Sequence, residues 1–167
     1  MAVKSQIYDG ISRLLEDSLS VKGLAFFGVV ALEPEPEFGR FEAWIGEGRH
    51  AGMRYLEKHR SLRRDPRELL SGARSAIIFG LPYNQGDRAP ARAYSGSPRI
   101  AQYARLKDYH RVLRGKGEEL LAELSAKADA IGRVVVDSAP ILERALAARG
   151  GRGFVGKNTC FIDAKQG

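Results

Sequence analysis

Two short apolar stretches, Leu24 to Leu32 and Ser75 to Leu81, constrain the fold of this chain more than any other feature. The first follows Gly23 and is broken off by Pro34 and Pro36, so it reads as a buried strand; the second reads the same way. Around them the spacing changes to that of helices. Ile7, Ile11, Leu14, Leu15 and Leu19 predict a helix over residues 4–20, and Phe41, Trp44 and Ile45 predict a second that stops at Gly46 to Gly48. A short helix is expected over Met53, Tyr55 and Leu56, and another opened by Asp65 and Pro66. Residues 84–98 hold Gly, Pro, Ser and Arg without periodicity and read as a mobile or ligand-ordered loop.

The second half continues the alternation. Val112, Leu113, Leu120, Leu121 and Leu124 predict a long amphipathic helix from Asp108 to about Ile131, weakened by Gly115 and Gly117 and ended by Gly132. Val134 to Val136 read as a short buried strand, Pro140 as the first turn of a helix reaching Arg149, and Thr159 to Ile162 as a final strand. Alternating strands and helices imply a mixed α/β chain, a layered sheet with helices on its faces. With 167 residues, 44% of them apolar, one domain over residues 1–167 is expected. The stretch DAKQG follows the last strand directly, and this reads as a cut boundary of a longer protein.

Several function classes are excluded or narrowed by composition. One cysteine, Cys160, allows no internal disulfide and cannot alone hold zinc or an iron-sulfur cluster, so no metal site is expected. His50, His59 and His110 lack the spacing of a ligand set and read as surface or hydrogen-bonded histidines. No membrane span or secretory leader is visible, which makes a cytoplasmic location the default. A net charge of +7 suits a nucleic-acid partner through phosphate contacts, or serves solubility alone.

The tract GGRGFVGKN matches both GxGxxG and GxxxxGK through Gly151, Gly153, Gly156 and Lys157. A phosphate loop needs a strand entering and a helix leaving; here the predicted order is reversed, and Asn158 stands where a magnesium-binding hydroxyl belongs. What remains is either a turn or a close backbone approach to a bulky group, with Lys157 and Asn158 as donors. Asp137, after the three valines, is either a general acid or an N-cap for the next helix. Partial burial beside an apolar cofactor would keep such an acid protonated. The cluster Lys107 to Arg111 is an ordinary charged helix start or a set of donors for phosphate, ribose or amide groups, and Arg63, Arg64 and Arg67 around Asp65 read as a solvated face or a binding edge.

Taken in order, RRDPRELLSGARSAI, RIAQYARLKDYHRVLRGK, VDSAPILERALAARGGRGFVGKNT and FIDAKQG resemble the epoxyqueuosine reductase family, most specifically from Val136 to Thr159. The resemblance implies an oxidoreductase that reduces epoxyqueuosine at the tRNA wobble position to queuosine. It further implies base-off cobalamin on this N-terminal part and a ferredoxin-like domain with two [4Fe-4S] clusters beyond residue 167. Asp137 matches the family's proton donor. Arg63, Ala101 and Phe161, with Lys157 and Asn158 in the Gly-Lys-Asn element, fall where the corrinoid is contacted. Phe154 stands where a tryptophan is frequent, and Cys160 where an aliphatic residue is common. The chain lacks a cysteine-rich tract, so it is not expected to turn over unaided. Related corrinoid-dependent reductive dehalogenases supply one alternative, and a non-catalytic basic nucleic-acid-binding domain supplies another.

Overall fold

A computed structural model of the chain describes residues 13, 15–82, 107–137 and 139–163. Two antiparallel hairpins organise it. Strand β1, Ala25–Ala31, pairs with β2, Ser75–Gly80, and strand β3, Gly153–Val155, pairs with β4, Phe161–Asp163. Helices α1 (residues 15–21), α2 (Phe38–Gly46), α3 (Arg60–Arg64), α4 (Tyr109–Ala128) and α5 (Glu143–Arg149) complete the described part. The mixed α/β class and single unit expected from the alternation are present, with the sheet reduced to small antiparallel pairs.

The core lies where α1 and α4 meet the first hairpin. Leu15, Leu19, Leu24, Phe26 and Leu120 are buried together, and Ile77, Phe79, Leu81, Leu113 and Leu124 pack around them. The first hairpin serves this core and, through β1, also meets α5, while Val29 and Ala31 stay exposed. The register of β1 on β2 shifts between Phe26 and Gly28, leaving Phe27 as a bulge. Phe26 joins the core, whereas Phe27 packs edge to face on Phe161 of β4 at 5.2 Å.

At one crossing the backbone itself makes the contact. Gly28, at φ +139°, meets Gly150 after α5 so closely that a Cβ on Gly28 would lie 2.7 Å from the Gly150 carbonyl oxygen. Arg149 secures the same junction, reaching Ala31 O at 2.8 Å, Glu33 at 2.7 Å and the buried Glu35 at 3.3 Å.

Four sequence expectations are corrected. Val134 to Val136 form no strand: the segment gains its burial by lying on α4, where Val134 fills the space above Gly117, 2.6 Å from the position a Cβ would take. Gly117 is therefore a packing notch as well as a weak helix former. Helix α4 ends at Asp129, held in the left-handed region at φ +50°, rather than at Gly132, because the short aspartate side chain tolerates that conformation. Pro140 precedes α5 instead of opening it; Leu142 is the N-cap, without a side-chain capping bond. The short helix around Met53 to Leu56 is a single 3-10 turn, Arg54–Leu56, and α3 is an additional helix just after it. The Asp65-Pro66 start does open a 3-10 turn, Pro66–Leu69, with Asp65 accepting from the Arg67 N-H at 3.1 Å. The N-terminal part of the first predicted helix and the loop over residues 84–98 lie outside the described residues.

Candidate active site

An open groove of about 1950 Å3 runs between α2, α3 and the segment from Asp137 through α5 to β4. Its walls are mixed: Phe41, Trp44, Leu62, Leu142 and Phe161 supply apolar surface, and Arg63, Asp137 and Glu143 supply charge. This exceeds the ~300–1,000 Å3 of ordinary small-molecule pockets and suits a large amphipathic group.

Asp137 is fixed by the start of α4. Asp108 caps that helix, accepting from the His110 N-H at 3.0 Å, which sets Tyr109 and His110 in its first turn. The Tyr109 hydroxyl donates to Asp137 Oδ2 through a short hydrogen bond, and His110 Nε2 lies 2.7 Å from Asp137 Oδ1. His110 Nδ1 lies 2.8 Å from Asp108 Oδ1, so the imidazole is held between two carboxylates. The rings of Tyr109 and His110 stack at 4.1 Å, which further fixes their planes. The N-cap alternative for Asp137 is thereby removed: its oxygens serve α4 residues, and α5 is capped at Leu142.

The electrostatics follow from these contacts. The hydrogen bond to Asp108, aided by the charge of Asp137, raises the His110 pKa above the ordinary histidine value. The same bond lowers that of Asp108. Hydrogen bonding to Asp137 pushes the Tyr109 hydroxyl up to about 12. Burial, and then the negative charge of Asp137, push Glu143 up to about 7. Its position at the start of α5 favours the charged form, and burial outweighs that effect.

The candidate residues divide in the structure. Arg63, Asp137 and Phe161 share the groove. Arg63 is buried, donates from Nη1 to the Lys58 carbonyl at 2.6 Å and lies 5.4 Å from the Phe41 ring centre, so it is no solvated face. The neighbouring arginines also have partners: Arg64 lies over Phe38 at 5.3 Å, and Arg67 grips both oxygens of Asp65. Lys157 and Asn158 are exposed on the β3–β4 turn and do not belong to the groove lining; Asn158 Oδ1 accepts from the Cys160 N-H at 3.1 Å and shapes the turn. Ala101 lies outside the described residues.

The glycine tract is explained largely within the chain. It connects α5 to β3, the order opposite to a phosphate loop, and Gly153 allows contact with the Ile162 backbone across the hairpin. The close approach at Gly153 is to the chain's own strand. Thr159 sits at φ +63°, uncommon for a β-branched residue, and its carbonyl accepts a short hydrogen bond from Arg144 Nη1. Arg144 thus ties the turn before Phe161 to α5. Sequence reading gave His110 a bland role and left Glu143 without one in the site. The adjacent Asp108-Tyr109-His110 triplet was the available signal for the first; burial of Glu143 by the groove had none.

A groove walled by aromatic, cationic and acidic side chains is suited to hold a cofactor or substrate. Comparisons with known proteins give the family. The family described as Epoxyqueuosine reductase QueG, DUF1730, matches residues 63–138. An epoxyqueuosine reductase of Xanthomonas campestris pv. campestris is 34% identical over 81% of this chain and 39% of its own length. One from Leadbetterella byssophila is 35% identical over 87% of the chain and 47% of its own. One from Gloeobacter violaceus is 39% identical over 77% of the chain and 39% of its own. No solved structure matches. The chain belongs to the epoxyqueuosine reductase family and spans less than half the length of these three relatives. Among the described residues no helix is long and apolar enough to cross a membrane, and no group of three or more His, Cys, Asp and Glu is placed to hold a metal ion.

Proposed function

We propose that this chain is the cobalamin-facing part of an enzyme that reduces epoxyqueuosine in tRNA to queuosine, with Asp137 as the proton donor. The observation that carries the reading is a groove-lining carboxyl group whose two oxygens are aimed by Tyr109 and His110, in a chain of this family. The groove suits a corrinoid in kind: aromatic and aliphatic walls for a broad ring system, with buried Arg63 among them as a cation for amide or phosphate groups. Arg63 and Phe161 would hold it, with Ala101, Lys157 and Asn158 as further contacts from the family motif. Cobalamin held there would supply the reducing electrons, and the iron-sulfur clusters expected beyond this segment would replenish them.

The chain's own residues manage the proton and the water. Asp137 protonates the epoxide oxygen as its first C-O bond opens, while Tyr109 and His110 keep the carboxyl group directed. The second C-O bond then breaks and a second proton, drawn from solvent, lets the oxygen leave as water, so that two electrons and two protons are consumed. The net charge of +7 assists approach of the tRNA backbone.

The full-length enzyme should give a base-off absorption spectrum with cob(II)alamin; a spectrum identical to the free cofactor would overturn the assignment. Asp137→Asn in that enzyme should keep the spectrum and lose about 10²–10⁴-fold in epoxide reduction. Turnover at the wild-type rate would remove Asp137 from the mechanism.

A further inference from the structure

A carboxyl group that donates a proton in every cycle must be recharged, and the contacts around Asp137 identify a source. Tyr109 donates to one oxygen and His110 faces the other. The tyrosine hydroxyl, held at about 12, keeps its proton near neutral pH. The imidazole is different: histidine is the side chain whose ordinary titration falls near neutral pH, its pKa here is raised, and both of its nitrogens face carboxyl groups.

From this geometry we propose that His110, clamped between Asp108 and Asp137, is the residue that resupplies the proton Asp137 gives to substrate. The inference rests on the reading of Asp137 as the donor. As the proton leaves Asp137 for the substrate oxygen, the Nε2-H bond of the imidazolium breaks and an O-H bond forms at Asp137 Oδ1. The ring is left neutral, with Nδ1-H directed at Asp108, which remains a carboxylate and fixes the tautomer. Water then returns a proton to Nε2, for which the side chain is accessible, being 43% exposed. No oxidant or reductant enters this step.

Among the described residues, the charges that bear on His110 belong to three short segments. Asp108 lies on its own turn, Asp137 on the segment packed along α4, and Glu143 at the start of α5, with Arg111 acting on Asp108 and Arg144 on Glu143. Asp108 is the informative position, because asparagine caps a helix as well as aspartate does and so preserves the fold while removing the charge.

The test combines titration and turnover in the full-length enzyme. With isotope-labelled histidine, the His110 signal should titrate above the ordinary value of ~6.5 and fall back toward it in Asp108→Asn. In the cobalamin-loaded enzyme the alkaline limb of the turnover profile should move down in pH by the same amount. Turnover of Asp108→Asn should then be about tenfold low near pH ~8 and recover as the pH falls toward ~6. A titration midpoint or alkaline limb that ignores Asp108→Asn would overturn the relay, as would a wild-type profile in His110→Gln alongside an inactive Asp137→Asn. Full turnover by Asp137→Asn would instead remove the donor reading on which the relay stands.

Discussion

At the α1–α4 side of the first hairpin, Leu15, Leu19, Phe26 and Leu120 fill space with side-chain volume; at the α5 side, Gly28 meets Gly150 backbone to backbone and Arg149 bridges Glu33 and Glu35. The first region tolerates changes of shape at a graded cost, since neighbouring side chains can relax. The second has nothing to relax but the main chain. Arg149 and Glu35 of this second region also line the groove, so that part of its wall depends on contacts that are few and unforgiving.

Four substitutions probe that contrast. Gly28→Val should be the most damaging, at about 4 kcal/mol or failure to fold, because the added atoms meet a carbonyl and the residue has positive φ. Denaturant unfolding measures it, and a loss under ~1 kcal/mol would mean that the crossing yields easily. Leu19→Ala should cost about 3 kcal/mol by cavity formation, yet leave the His110 titration in place. A displaced titration would show that core and groove are not separable.

Arg149→Met should cost about 2 kcal/mol by stranding the buried Glu35, and its effect should add to that of Leu19→Ala within ~0.5 kcal/mol. A larger deviation in the double variant would show coupling between the two regions. The smallest effect is expected from Glu143→Gln. Its folded-state pKa of about 7 lies above its ordinary value, so the folded state keeps a proton that the unfolded chain releases, and stability falls as the pH rises from about 4.5 to 7. The variant should gain about 1 kcal/mol at pH ~8, allowing for partial solvent access, and nothing near pH ~4. Equal effects at both pH values would point to packing instead of charge.

The same contrast explains what could be read from the sequence. The strands β1 and β2 were legible because each is a short, mostly apolar run, the first bounded by Gly23 and Pro34, and the start of the Pro66–Leu69 turn was legible because Asp65-Pro66 is a local capping signal. The run Val134 to Val136 was misread because burial on a helix and burial in a ladder demand the same residues; only the notch at Gly117 separates them. Asp137 could be singled out by motif, but not the choice between capping and chemistry, which depends on Tyr109 and His110 from a distant part of the chain. Lys157 and Asn158 stood out as donors; they are exposed on the β3–β4 turn and are not among the residues lining the groove. Glu143 gave no local sign, since its perturbation comes from burial.

The crossing of Gly28 and Gly150 has one further implication. Where two main chains touch, no palette of side chains exists from which variation can be drawn, so the spacing between β1 and the end of α5 is set by the backbone alone. A side chain larger than hydrogen at either glycine would therefore have to push β1 and α5 apart, whereas exposed Phe154 and Tyr55 on the groove wall carry no such constraint from the crossing.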